Sequence, residues 1–154
     1  MTAHLLDVLR ARRTIRRYTD EPVSDADIDV LLEAAMYAPS RLDRRPWRFI
    51  VLRDRALQDE MGDVIGVRNY LAQAPAVIVV CADAASSPTW MMDIAAATEN
   101  LLLAATDLGL GAAWVGWPES GWWQPLEDLL GRKIGVPADI RVATLVAVGH
   151  PAER

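Results

Sequence analysis

Four guanidinium groups and a hydroxyl fall within six residues of this chain, Arg12-Arg13-Thr14-Ile15-Arg16-Arg17. Arginine forks match the oxygens of a phosphate two at a time, and a threonine adds a further donor. Such a cluster repels itself unless an anion neutralises it, so the segment reads as an anion site. The alternative is the solvated basic end of a helix. The chemistry on offer is binding rather than bond-making. His4 and His150 stand at opposite ends of the chain without i,i+4 partners, so they assemble no metal site. Cys81 is the only cysteine, which excludes a disulfide within the chain and reads as a small buried hydrophobe suited to a reducing cytoplasm. There is no G-x-S-x-G elbow, Walker loop or G-x-G-x-x-G fingerprint, and Gly109-Leu110-Gly111 follows a helical pattern where a dinucleotide fingerprint would follow a strand.

The elements that must carry these residues can be read from periodicity. Leu5, Leu6, Val8 and Leu9 predict a short amphipathic helix whose last turn holds Arg10, Arg12 and Arg13, where cations complement the helix dipole. Ser24 caps a second helix from about Asp25 to Tyr37, which stops before Pro39. A loop through Ser40, Arg41, Leu42, Asp43, Arg44 and Arg45 leads into a strand from Arg48 to Leu52. A short helix near Ala56 to Met61 and an unassigned stretch from Gly62 to Gln73 follow. The uninterrupted apolar run Ala76 to Cys81 predicts a central strand covered on both faces. The longest helix runs from about Met92 to Leu108 with Glu99 as its only charge between Ile94 and Thr106, so it must be surrounded by protein, and a second subunit is a natural source of that cover. Ala112 to Trp117 and Val142 to Val148 read as strands, with a helix between them near Trp122 to Leu130.

Composition bounds the rest. A length of 154 residues predicts one domain, residues 1–154, and 52% hydrophobic with 24% charged residues is a globular balance. A net charge of -5 argues against general affinity for nucleic acid or anionic membranes, so any cationic function is local. The N-terminus lacks a signal-peptide pattern and no apolar run reaches the ~20 residues of a membrane span, which predicts a soluble cytoplasmic protein.

Four ordered stretches together resemble the FMN-dependent nitroreductase family: Arg12 to Arg16; Ala38-Pro39-Ser40 with Asp43 and Pro46-Trp47-Arg48-Phe49; Glu99 to Ala105 with Leu108-Gly109-Leu110-Gly111; and Val148 to Glu153. The resemblance implies an α+β fold, an α/β/α sandwich whose mostly antiparallel central sheet is flanked by helices. It also implies a homodimer with FMN between the subunits, reduced by NADPH or NADH and reoxidised by nitroaromatics, quinones or similar electron-poor substrates in a ping-pong mechanism. By the same resemblance Arg12, Arg13, Thr14 and Arg16 hold the FMN phosphate and ribityl chain, Pro39, Ser40 and Asp43 come from the other subunit, and backbone groups of Val115 and Gly116 face the flavin near N5. No side chain is expected to act as general acid or base, because the flavin carries the chemistry. A flavin-binding protein without turnover is the alternative.

Three features depart from the family's pattern. Asp43 stands where relatives have asparagine, and a carboxylate accepts but cannot donate a hydrogen bond, which disfavours an anionic reduced flavin unless Arg44 or Arg45 neutralises it. Many relatives continue into a basic tail that helps hold the phosphate, a role for which Arg154 is the candidate here. Trp114, Trp117, Trp122 and Trp123 crowd together, as packing or as walls of a pocket for flat substrates.

Overall fold

In the computed structural model, which describes residues 2–66 and 68–153, the strand β2 (Ala76–Ala82) lies at the centre with every residue buried. Successive side chains on a strand point to opposite faces, so Ala76, Ile78, Val80 and Ala82 enter one core while Val77, Val79 and Cys81 enter a second. This is why the run carries no polar residue: neither face meets water. Burial pushes the Cys81 thiol up to about 12, with the Glu127 carboxylate adding to the effect. A thiol-specific reagent at neutral pH should therefore leave native Cys81 unlabelled and modify one thiol per chain after denaturation, as a colorimetric thiol assay would read.

Three more strands complete the sheet: β1 (Trp47–Leu52), β3 (Gly111–Val115) and β4 (Arg141–Gly149), in the order β1-β2-β4-β3. Every pairing is antiparallel, with Phe49 opposite Val80, Val77 opposite Ala147 and Ala112 opposite Val148. Between Val80, which faces Thr144, and Cys81, which faces Val142, β4 carries one extra residue, Ala143. The expected α+β sandwich is thus borne out.

The first core is closed by α2 (Asp25–Met36) and α5 (Trp90–Asp107), through Leu31, Ala35, Ile94, Ala97 and Leu101. The second is closed by α3 (Arg55–Ile65) and α6 (Trp123–Ile134), with α4 (Arg68–Gln73) beside them. The Ser24 hydroxyl accepts the Asp27 amide at 3.0 Å, which starts α2 where expected. Both α3 and α6 run longer than their sequence suggests because Gly62 and Gly131 are carried inside the helices, and the chain turns only at Gly66 and Gly135, each at φ +72°. The α1 helix (Thr2–Ala11) leaves Leu5, Leu6 and Leu9 exposed, and α5 is not covered all round by its own chain. A groove of about 560 Å³ opens between α1, α2 and α5, lined by Leu5, Val8, Tyr37, Asn100 and Leu103. Among the described residues no helix is long and apolar enough to cross a membrane.

Candidate functional site

The arginine segment leaves α1 and is laid along the free edge of the sheet. Thr14 forms a parallel bridge with Ala112 of β3, and the Ile15 amide donates to the Ala112 carbonyl at 2.9 Å. Ile15 is the one residue of the six that is buried, and it seats on Gly111, where an added Cβ would lie 2.7 Å from the Ile15 Cγ2. A larger residue at 111 would lift the whole segment from the sheet. The far end is laced to the C-terminal stretch: the Ala152 amide donates to the Arg17 carbonyl and the Thr19 amide to the His150 carbonyl, each at 2.9 Å. Tyr18 donates its hydroxyl to the Ile15 carbonyl and, at 3.3 Å, to that of Ala147. Burial raises the Tyr18 phenol well above its ordinary range, with the nearby Tyr70 and Glu153 adding to this, so it stays a donor.

The cations of the segment are not equivalent. Arg13 folds back, its Nη1 donating to the carbonyls of Arg10 and, at 2.8 Å, Arg12, so this guanidinium caps the end of α1. Here the helix-end reading of the arginines applies. Arg12 lies beyond the helix with its Nε 3.9 Å from the Glu99 carboxylate, and Arg16 rests its guanidinium 5.7 Å from the centre of the Tyr70 ring. Thr14 is exposed, so its hydroxyl remains accessible.

Helix α5 sets the remaining candidates relative to these. Glu99 approaches Arg12, while Asp93, six residues earlier and ~9 Å along the axis, holds the loop after α2. The Asp93 carboxylate is buried and accepts from the Ser87 hydroxyl at 2.7 Å, the Thr89 hydroxyl at 3.3 Å and the Arg41 amide at 3.2 Å. Ser40 Oγ accepts from the Arg45 amide at 3.0 Å, and Arg44 Nη1 donates to the Ser86 carbonyl at 2.6 Å. Between these ties Leu42, Asp43 and Arg45 adopt φ of 51°, 54° and 47°, a left-handed backbone in three residues that are not glycine. Such strain persists only where the surroundings enforce it, and it concentrates at binding sites. Asp43 meets Arg45 in a two-point fork, Oδ1 accepting from Nε at 2.7 Å and Oδ2 from Nη2 at 3.1 Å. This hydrogen bonding and charge hold the Asp43 carboxyl below its usual range. Arg45 is thus the neutralising partner. Both residues line an open cavity of about 490 Å³ beside Tyr37.

Just past the end of β3, Gly116 borders a smaller cavity of about 160 Å³ between the sheet and α5, lined by Trp90, Ile94, Trp114, Gly116, Ala143 and Thr144, while Val115 packs against the second core. The Thr144 hydroxyl donates to the Val115 carbonyl at 2.6 Å. A Cβ on Gly116 would lie 2.8 Å from Thr144 Oγ1, so glycine is required there by the close approach of β4. The four tryptophans divide. Trp123 is core, its indole N–H donating to the Val142 carbonyl, while Trp114, Trp117 and Trp122 are exposed, the last two edge to face at 5.6 Å.

The arginine strip is thus anchored on the edge strand β3 through Thr14, with Arg12 beside Glu99 of α5 and Arg16 beside Tyr70 of α4, and Val115 and Gly116 lie at the other end of that strand. Guanidinium groups and a hydroxyl are donors of the kind that suit a phosphate. Among the described residues no hydrogen bond or ion pair joins Pro39, Ser40 or Asp43 to that strip. The 160 Å³ cavity is also smaller than the ~300 Å³ at which small-molecule sites begin. Arg154 lies outside the described residues. Among those described, no group of three or more His, Cys, Asp or Glu is placed to hold a metal. Asp93 and the neutralising role of Arg45 depend on contacts that sequence order barely signals; only the hydroxyls of Ser87 and Thr89 just ahead of a helix hint at a carboxylate partner.

Comparison with known proteins identifies the family. The profile of the nitroreductase family matches residues 9–70 and 68–150, and the chain belongs to that family. An Archaeoglobus fulgidus protein provisionally named NADH dehydrogenase/NAD(P)H nitroreductase is 42% identical over 153 residues, covering 96% of this chain and 86% of its own. An FMN-dependent nitroreductase from Clostridium difficile superposes with a TM-score of 0.89 at 29% identity, covering 97% of this chain and 88% of the other. A nitroreductase with bound FMN from Bacteroides fragilis superposes with a TM-score of 0.82 at 27% identity, over 96% and 88% of the two chains.

Proposed function

We propose that this chain, as one nitroreductase domain over residues 1–154, is an FMN-dependent oxidoreductase that works as a cytoplasmic homodimer. Electrons would come from NADH or NADPH and pass to nitroaromatics, quinones or related electron-poor compounds by a ping-pong mechanism. The observation that carries the reading is the arginine strip anchored on β3 through Thr14 and Ile15, with Gly116 past the other end of that strand bordering an apolar cavity. Membership of the nitroreductase family and the FMN-bound relative from Bacteroides fragilis support it.

When bound, FMN supplies the hydride and electron chemistry, and the protein's part is to bind and tune it. Arg12 and Thr14 would hold the phosphate, with Arg13 fixing the end of α1 behind them. Pro39, Ser40 and Asp43 sit in a loop pinned to α5 by Asp93, and the strained backbone holds the Asp43–Arg45 fork at an open cavity. In the dimer that cavity would face the partner's cofactor. The exposed Leu5, Leu6, Leu9, Met36 and Tyr37, the last 79% accessible, provide an apolar face of the kind a second copy covers.

The test is spectroscopic. Purified protein loaded with FMN should bleach on mixing with NADPH or NADH in a stopped-flow instrument and recover its colour when a quinone is added. Flavin that stays oxidised would refute turnover, and a folded protein that takes up no FMN would refute the site. Tuning can be checked separately. Asp43→Asn removes a negative charge near the flavin and should raise the midpoint potential of bound FMN, by no more than about 30 mV because Arg45 already neutralises most of it. Spectroelectrochemistry that finds an unchanged or lowered potential would contradict the placement of Asp43.

A further inference from the structure

Glu153 closes a gap that the cofactor site otherwise leaves open. Its Oε1 accepts from the Arg16 amide at 2.6 Å and from the Arg17 amide at 3.2 Å, across 137 and 136 residues of sequence. The two peptide groups it fixes are those that bracket the Arg16 side chain. The Ile15–Arg16 peptide is also held at its carbonyl by the Tyr18 hydroxyl, whereas the other neighbouring ties, from Ile15 to Ala112 and from Ala152 to the Arg17 carbonyl, do not touch the Arg16–Arg17 peptide. Remove the carboxylate and both amides lose their acceptor, with the Arg16–Arg17 peptide freed most, because the Ile15 carbonyl keeps its bond from Tyr18. The same oxygen places a negative charge against the backbone of Arg16 and Arg17.

We infer that Glu153 is a positioning residue for the cofactor: by clamping the Arg16 and Arg17 amides it fixes the direction from which the Arg16 guanidinium meets FMN. The inference rests on the functional reading above. Because the anchoring of the segment to the sheet runs through Ile15, Arg17, Tyr18 and Thr19, the clamp contributes to cofactor geometry and little to folding.

Three substitutions separate geometry from charge. Glu153→Gln keeps the reach and an accepting oxygen without the charge, Glu153→Asp keeps the charge but falls one methylene short, and Glu153→Ala loses both. FMN affinity, measured on flavin-stripped protein by fluorescence quenching, should fall ~10-fold for Glu153→Ala and Glu153→Asp, where the amides lose their acceptor, and stay within ~3-fold of wild type for Glu153→Gln, where they keep one. Thermal midpoints of the flavin-free proteins should agree within a few degrees. Equal affinities throughout overturn the inference, as does a Glu153→Gln variant as weak as Glu153→Ala, or a loss of affinity matched by a loss of flavin-free stability. Wild-type protein that binds no FMN overturns the functional reading and this inference with it; binding by wild type with no effect of the variants overturns the inference alone.

Discussion

Replacing Arg12 and Arg16 together with alanine should weaken FMN binding by about 100-fold or more, read as the dissociation constant from fluorescence quenching. Each side chain is placed to make charge-assisted hydrogen bonds, worth roughly 1.5–3 kcal/mol apiece, and two such losses multiply. Folding should suffer far less, because the ties of these guanidinium groups to the rest of the chain, Arg12 to Glu99 and Arg16 to the Tyr70 side chain, lie at the surface. Arg12 is 34% exposed and only 3.9 Å from a Glu99 carboxylate that is itself 45% exposed, an ion pair that contributes little in water. The double variant should therefore fold normally, and its thermal midpoint without flavin should match wild type. Lysines at both positions should restore only part of the affinity, because an ammonium carries the charge without the fork. A change in affinity below about threefold would remove the arginine strip from the site.

The second large effect is expected at Gly149, the last residue of β4. A Cβ there would lie 2.5 Å from the Pro75 Cδ and 2.8 Å from the Tyr18 Cδ1, so one of these rings must shift. Overpacking of this kind costs about 2–3 kcal/mol, so Gly149→Ala should lower the thermal midpoint by roughly 5–10 °C in a chain of this length. Tyr18 is the softer neighbour, and its displacement breaks the hydroxyl bonds to Ile15 and Ala147 that help set the arginine segment. FMN affinity should then fall with stability. Unaltered melting would mean that Pro75 and Tyr18 tolerate a methyl group between them, and the tight crossing at Gly149 would lose its structural role.

These expectations differ in how much of them a reader of the sequence could reach. β2 is legible because an apolar run of strand length has one stable home, a position covered on both faces, and the structure places Ala76–Ala82 there. The start of α2 is legible because Ser24 satisfies a backbone donor three residues away. The ends of α3 and α6 were not, since a glycine inside a helix and a glycine that ends one look alike until the backbone turns to positive φ. Likewise the tryptophan cluster does not disclose that Trp123 enters the core while Trp114, Trp117 and Trp122 stay outside.

By itself, then, the order of residues determined the local signals: periodicity, caps, the arginine strip, and an ordered set of motifs sufficient to place the chain in the nitroreductase family. Each of these is written within a few residues or within one turn of helix. The tertiary structure alone decided that Arg13 caps α1 while Arg12 and Arg16 lie beside Glu99 and Tyr70, that Asp43 is neutralised by Arg45 in a strained loop, and that Glu153 reaches the Arg16 amide. Contacts of that kind depend on backbone dihedral angles and on pairings more than a hundred residues apart, for which no local pattern exists.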